Sequence, residues 1–345
     1  MDRKILNIAY IGNGKSTNRY HAPFVLARPN LFKISKIYAR HIDHSTWKAI
    51  PGVIYTDALE EILSDPAIDV IEIVTPPTTH FELARQALAA GKHVVIDTPI
   101  CASEAEGREL FELARKHNVT VQCYQNRRFD SDFLTAQKVL ASGKLGHVHE
   151  IVTSYDYWRP HMMDGAPFSP IDNAAFGHGS HCIDQLISWL GIPESWHPEL
   201  RQLSDPDTAV DYFDIDLYYP GRGLKATARA NYRMAFTRPS FEIYGDRGAY
   251  IKWGKDNQER DLKHFYLPAG HSDFGLDDPR DWGTLRYEDN HGLHEERIPS
   301  VRSSYSQFYD ALHDTVANGA AQLVKPEETL AQLRILEDGL ARLEA

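Results

Sequence analysis

The chain has 345 residues, 42% of them hydrophobic and 25% charged, and its net charge is −11. That length exceeds what one small core organises, so two domains are expected. The scattered acidic charge excludes a basic nucleic-acid face, and no apolar run reaches the roughly eighteen residues of a membrane span.

The N-terminus runs directly into an apolar strand without a signal-peptide cleavage site. Cys101, Cys123 and Cys182 are odd in number and far apart, which argues against a disulfide framework. Both features suit a reducing cytoplasm.

The first strand, 5–12, leads into Gly12, Asn13, Gly14, Lys15 and Ser16 at the start of a helix. Glycines there allow a tight turn and a close backbone approach to a pyrophosphate, and the helix N-terminus favours negative charge. Thr17 replaces the third glycine of the G-x-G-x-x-G fingerprint, so the pair alone also suits a plain turn. Its place after the first strand of a βαβ chain favours a nucleotide. The second strand, 33–39, ends before Arg40 and His41, where an NAD-binding fold carries an acid. A guanidinium at that point suits a 2′-phosphate and favours NADP. A solvated surface arginine is the alternative, and nearby Asp43 could serve an NAD ribose.

Helical spacing follows over 56–65, then a strand over 69–75 that ends in TPPTTH. Thr75, Pro76, Thr78 and His80 in that stiff loop are expected to lie against the dinucleotide. Thr78 or Thr79 should cap a helix over 79–92 that stops at Gly91. The strand 93–97 ends at Asp97, Thr98 and Pro99, Ser103 and Glu106 open a helix over 103–118, and a strand covers 119–124. This repetition predicts an N-terminal Rossmann domain, a doubly wound parallel sheet, over 1–123.

Beyond it the pattern alternates polar and apolar over 148–160, 212–220, 224–234 and 241–253, with helices over 179–191 and from Ser304. The overall class is therefore α/β, with a C-terminal α+β domain over 124–345 built on a large, mostly antiparallel open sheet.

Together GNGKSTNRYH, TPPTTH, AGKHVVIDTP, YQNRRFDSDFLTAQKVLASGKLG (124–146) and GSHCIDQL (179–186) resemble one family over nearly the whole chain. It is the glucose-fructose oxidoreductase, inositol dehydrogenase and rhizopine catabolism (Gfo/Idh/MocA) family. The branch resembled most contains NADP-dependent scyllo-inositol dehydrogenases. The resemblance implies hydride transfer between a nicotinamide and a carbinol carbon of a sugar or polyol. It also implies that the C-terminal domain binds substrate and oligomerises, and its C-terminal helix could pack back on the first domain. Such relatives carry a Glu-Lys-Pro turn, its lysine near the reacting hydroxyl, and an Asp-x-x-x-His pair with a further Asp three residues on.

Here the turn is Asp97-Thr98-Pro99, with a cis bond expected before the proline; His181 and Asp184 fit the helix motif, and Gly177 replaces its first aspartate. The resemblance implies His181 as the proton-transfer residue, Thr98 and Asp184 beside it, and Asp97, Pro99 and Asn126 near the cofactor. His178, Tyr157, Arg159 and Trp282 are candidate substrate contacts, although aromatic and arginine side chains on a sheet face commonly only pack. His178, His181 and Asp184 share a spacing compatible with a metal, but it matches no strong zinc signature, and no metal ligand is assigned. The expected protein is a homodimeric or homotetrameric oxidoreductase that uses NADP, or NAD, on a sugar or cyclitol. Its rivals are a dinucleotide sensor that has lost turnover and a metal-dependent lyase or hydrolase.

Overall fold

The computed structural model describes residues 4–161, 168–205 and 207–343. The chain divides into two compact units. The first comprises Met1–Asn126, Glu259–Phe274 and Tyr305–Leu330; the second comprises Arg127–Gln258, Gly275–Ser304 and Ala331–Ala345. Among the described residues no helix is long and apolar enough to cross a membrane.

The first unit opens with β1 (Leu6–Ile11), α1 (Ala22–Leu26), β2 (Phe32–Tyr38), β3 (Ile54–Thr56), α2 (Glu60–Leu63) and β4 (Val70–Ile73). It continues with α3 (His80–Ala89), β5 (His93–Ile96), α4 (Glu104–Lys116) and β6 (Val121–Cys123). The strands pair in the order β3-β2-β1-β4-β5-β6, all parallel. Apolar runs such as Val70–Ile73 form its centre because a parallel sheet covered on both faces leaves no strand position in water. Glu72 breaks that run and is fully buried. The order reverses between β1 and β4, which places a ligand crevice at the carboxyl ends of those strands.

Ser103 caps α4 by accepting from the Glu106 N–H at 3.1 Å, and the Glu106 carboxylate accepts from the Ala102 N–H at 2.8 Å. The expected threonine cap on α3 does not form. The Thr79 hydroxyl donates instead to Pro76 O at 2.8 Å, a carbonyl that also accepts from the Thr79 N–H at 3.0 Å across the turn.

The second unit begins with α5 (Ser131–Ala141), β7 (Val148–Ser154), α6 (Ser180–Leu190), β8 (Ser195–Arg201), β9 (Tyr212–Tyr219), β10 (Leu224–Asn231), β11 (Phe241–Gly245) and β12 (Gly248–Lys252). After α7 (Gln258–Lys263) come β13 (Gly283–Asp289) and β14 (Gly292–Ile298), then α8 (Ser306–Asn318) in the first unit and α9 (Pro326–Leu343). Eight strands pair in the order β14-β13-β12-β11-β7-β10-β9-β8, antiparallel except for β7 with β10. α6 packs on β10, and α5 packs on β11 and β12.

Two spans differ from their sequence reading. The segment 241–253 is a hairpin, because Asp246 and Arg247 turn the chain between β11 and β12. In the segment 148–160 the regular strand ends at Ser154, while the Tyr155 and Tyr157 N–H groups still donate to Arg229 O at 2.9 Å and Asn231 O at 3.1 Å along β10.

Candidate active site

In the first unit, a cavity of about 870 Å³ lies at the carboxyl ends of β1, β2 and β4. That size is ordinary for a cofactor site. Gly12, Asn13, Gly14, Lys15 and Ser16 form one wall, Arg40 and His41 another, and Thr75, Pro76 and Thr78 a third. Gly12 has φ +115°, and a Cβ there would lie 2.2 Å from Val74 O, so this position requires glycine. A Cβ at Gly14 would meet nothing within 4 Å, which leaves the turn's backbone open to the cavity. The helical run that starts at Lys15 begins with N–H groups that have no intrahelical acceptor. These features fit a dinucleotide pyrophosphate.

The electrostatics at the end of β2 discriminate further. Arg40 is exposed and, among the described residues, has no ion-pair partner. Asp43 lines the same cavity, yet its two carboxylate oxygens accept from the Ser45 N–H at 2.8 Å and the Ser45 hydroxyl at 2.7 Å. Those bonds hold its carboxyl below the usual range. Trp47 and Thr46 also line the cavity. Sequence reasoning missed both, because the loop after β2 has no periodicity; an isolated tryptophan in a polar loop was the only available signal.

Four residues expected near the cofactor, His80, Asp97, Pro99 and Asn126, are not among those that line this cavity. The Thr98–Pro99 peptide is cis. His80 is buried and bridges Pro99 O at 2.7 Å and Thr75 O at 2.9 Å, joining two of the site's loops. Asp97 accepts from the Ser16 hydroxyl at 2.7 Å and from the Thr98 N–H at 2.9 Å. Asn126 is buried in the helical turn that closes the unit's first segment. Beneath them lies His21, which no sequence motif singled out. Its Nδ1 is 3.0 Å from Glu72 Oε2, and its Nε2 is 3.7 Å from Asp97 Oδ1. Burial opposes charge on this ring, but the pull of Asp97 and Glu72 outweighs it and raises the pKa to about 9.

The second unit gathers the remaining candidates around the start of α6. His181 lies in the first turn of α6 and is 8% exposed. Asp184, one turn on, accepts both arms of the Arg128 guanidinium at 2.7 Å, a buried bidentate pair that fixes this face of the helix. Arg128 was not singled out from sequence, although it lies in the quoted NRRF. His178 sits on the π-helical turn Ala175–Gly179, bonded through Nδ1 to the Tyr232 hydroxyl and stacked on Tyr155 with centroids 4.4 Å apart at 18°. Arg159 lies over the Tyr157 ring at 3.5 Å, and Tyr157 in turn contacts His178 at 5.3 Å.

A Cβ at Gly177 would meet nothing within 4 Å, so the position of the absent aspartate is open space. Trp282 follows a loop pinned by the buried Lys252, whose ammonium donates to Asp277 at 2.9 Å and to Asp281 O at 2.6 Å. Among the described residues no group of three or more His, Cys, Asp or Glu side chains is placed to hold a metal ion.

Comparison with known proteins matches residues 6–125 to the family described as "Oxidoreductase family, NAD-binding Rossmann fold" and residues 133–251 to the "GFO/IDH/MocA C-terminal domain". The uncharacterised oxidoreductase YhhX of Escherichia coli is 39% identical over 338 residues, which cover 97% of this chain and 96% of that protein. The scyllo-inositol 2-dehydrogenase (NADP(+)) IolW of Bacillus subtilis is 32% identical over 336 residues, covering 96% and 92%. The crystal structure of an oxidoreductase from Bacillus cereus has a TM-score of 0.90 at 37% identity and covers 97% of this chain and 96% of that one.

Proposed function

This chain belongs to the Gfo/Idh/MocA oxidoreductase family, and from that premise we propose that it oxidises or reduces a sugar or cyclitol polyol with NADP. The observation that carries the reading is the cavity at the carboxyl ends of β1, β2 and β4, lined by its glycine turn and by Arg40, which has no ion-pair partner among the described residues. The bound nicotinamide would supply or accept the hydride. Lys15 and the open backbone of Gly14 bind the pyrophosphate, and Arg40 binds the 2′-phosphate while Asp43 is held by Ser45. The NADP named for the Bacillus subtilis relative supports the same choice. His181 takes the proton of the reacting hydroxyl, Thr98 donates a hydrogen bond, and Asp184 holds the helix through Arg128. Tyr157, Arg159, His178 and Trp282 contact the substrate. The proposed setting is a cytoplasmic homodimer or homotetramer.

The test is reduction of NADP⁺ by a panel of sugars, aldonates and cyclitols, followed through NADPH absorbance. Turnover of one class supports the reading. The absence of a lysine at Thr98 and of an aspartate at Gly177 favours a second one, a dinucleotide-binding regulator. Tight NADPH binding without turnover of any compound would select it.

Arg40→Ser checks the cofactor choice. A charge-assisted bond to a phosphate contributes about 1.5–3 kcal/mol, so NADPH should bind roughly 10- to 100-fold more weakly while NADH binding changes little. Equal losses for the two cofactors would remove Arg40 from the 2′-phosphate.

A further inference from the structure

Thr98 brings no charge to a turn where relatives of this family place a lysine. The second unit, taken by itself, contains a cation that no assigned role uses. Lys255 follows β12, and its ammonium lies 4.6 Å from the Tyr155 ring centroid and 5.4 Å from that of Phe241. Arg127 covers the same Tyr155 ring at 4.9 Å. Tyr155 is the ring that stacks on His178, three residues before His181. One aromatic platform thus connects two cations to the start of α6.

The nearest carboxylate to Lys255 is Asp132, with Oδ2 at 3.8 Å and its side chain 0% exposed. That separation is too long for a hydrogen bond. Among the described residues neither Asp132 oxygen accepts a hydrogen bond and the Lys255 ammonium donates none. A lysine that only neutralised a buried acid would close on it and hydrogen-bond it. Here charge attraction and two ring faces hold the ammonium, while its three N–H donors stay available. The side chain is 24% exposed, so a ligand on this face of the unit can reach it. Available donors on a fixed cation select an oxygen-rich, electron-rich ligand.

We propose that Lys255 contacts the reacting oxygen of the sugar or polyol and supplies the positive charge that relatives supply from the turn position held here by Thr98. The inference rests on the oxidoreductase reading above. In the oxidation direction the hydroxyl proton would pass first to His181, so that negative charge develops on the oxygen; the carbinol C–H bond would then break as the C=O bond forms, its electron pair leaving as the hydride that a bound oxidised nicotinamide would accept. Lys255 stabilises the charge on the oxygen without giving up a proton.

The experiment has two arms. In the first, kcat, KM and NADPH affinity are measured for Lys255→Met, Lys255→Arg, Asp132→Asn with Lys255→Met, and Lys255→Met with Thr98→Lys. The double change at 132 and 255 removes the buried acid together with its cation, which protects folding. Loss of an oxyanion donor predicts kcat lower by about 10²–10³-fold with NADPH affinity unchanged, and partial recovery with arginine or with the lysine restored at 98. A folded double variant with wild-type kcat overturns the proposal.

The second arm needs no turnover. The lysines are reductively methylated with labelled carbon, the Lys255 signal is identified by its absence in Lys255→Arg, and the polyol panel is added to the NADPH complex. A shift of that signal without turnover of any compound leaves the substrate contact standing and removes the oxidoreductase reading. A Lys255 signal that no compound moves overturns the proposal whether or not turnover is seen.

Discussion

Replacing His181 with alanine should lower turnover by about 10²–10⁴-fold, the range expected for losing a positioned acid–base group, and leave NADPH affinity within about twofold. The two quantities separate because they depend on different parts of the chain. The residues proposed to hold the dinucleotide line a cavity in the first unit, whereas His181 belongs to α6 in the second. The loss should fall on kcat with little change in KM, because a proton acceptor acts on the transition state rather than on ground-state binding.

A control comes from Arg128. Its bidentate hold on Asp184 fixes the helix one turn beyond His181, so Arg128→Met should lower kcat less than His181→Ala while also lowering thermal stability. Turnover retained in a folded His181→Ala protein would remove His181 from proton transfer. Equal loss of kcat and of NADPH binding would show that the substitution had disturbed the fold.

The parallel sheet was legible because its central strands are continuous apolar runs separated by helical periodicity, and both patterns are local. β3, three residues at the sheet edge, carries no such run and was missed. β13 and β14 were missed as well, because their residues are mostly polar and partly exposed and present no strong alternation. The cavity wall was legible for a similar reason, since the turn, Arg40 and the TPPTT loop each follow directly from a strand end. Side chains whose meaning depends on distant partners were not legible. Lys255 gains significance only from Tyr155, a hundred residues earlier, and Asp184 only from Arg128. His80 was expected at the cofactor; its ring lies between the Pro99 and Thr75 carbonyls, a pairing that no spacing rule reveals.

His21 illustrates the same limit and leads to the largest expected effect on stability. It is fully buried between Glu72 and Asp97, with the Tyr309 hydroxyl donating to Glu72 at 3.2 Å and the Tyr124 ring 4.0 Å away. Despite its burial, the two carboxylates raise its pKa from 6.5 to about 9. A raised value means the folded protein binds the proton more tightly than the unfolded chain does. The contribution is therefore complete below the unfolded pKa and is lost as pH rises through the folded value of about 9. Its size is about 3 kcal/mol, a large part of a typical domain's stability.

Asp97 behaves oppositely. Burial alone would raise its carboxyl, but His21, Ser16 and His80 hold it well below the usual carboxylate range, so its contribution is lost only in strong acid. The network is thus fully formed from weakly acidic pH to about neutrality and weakens on the alkaline side. Urea unfolding from about pH 6 to 10 should show His21→Gln less stable than wild type by about 3 kcal/mol at the lower end, with the gap closing above about pH 9. A gap independent of pH would mean that His21 acts by packing alone. Because Asp97 also holds Ser16 of the glycine turn and the N–H of Thr98, the gap should be accompanied by weaker NADPH binding in His21→Gln at the lower pH. Unchanged binding there would separate the buried ion pair from the wall it supports.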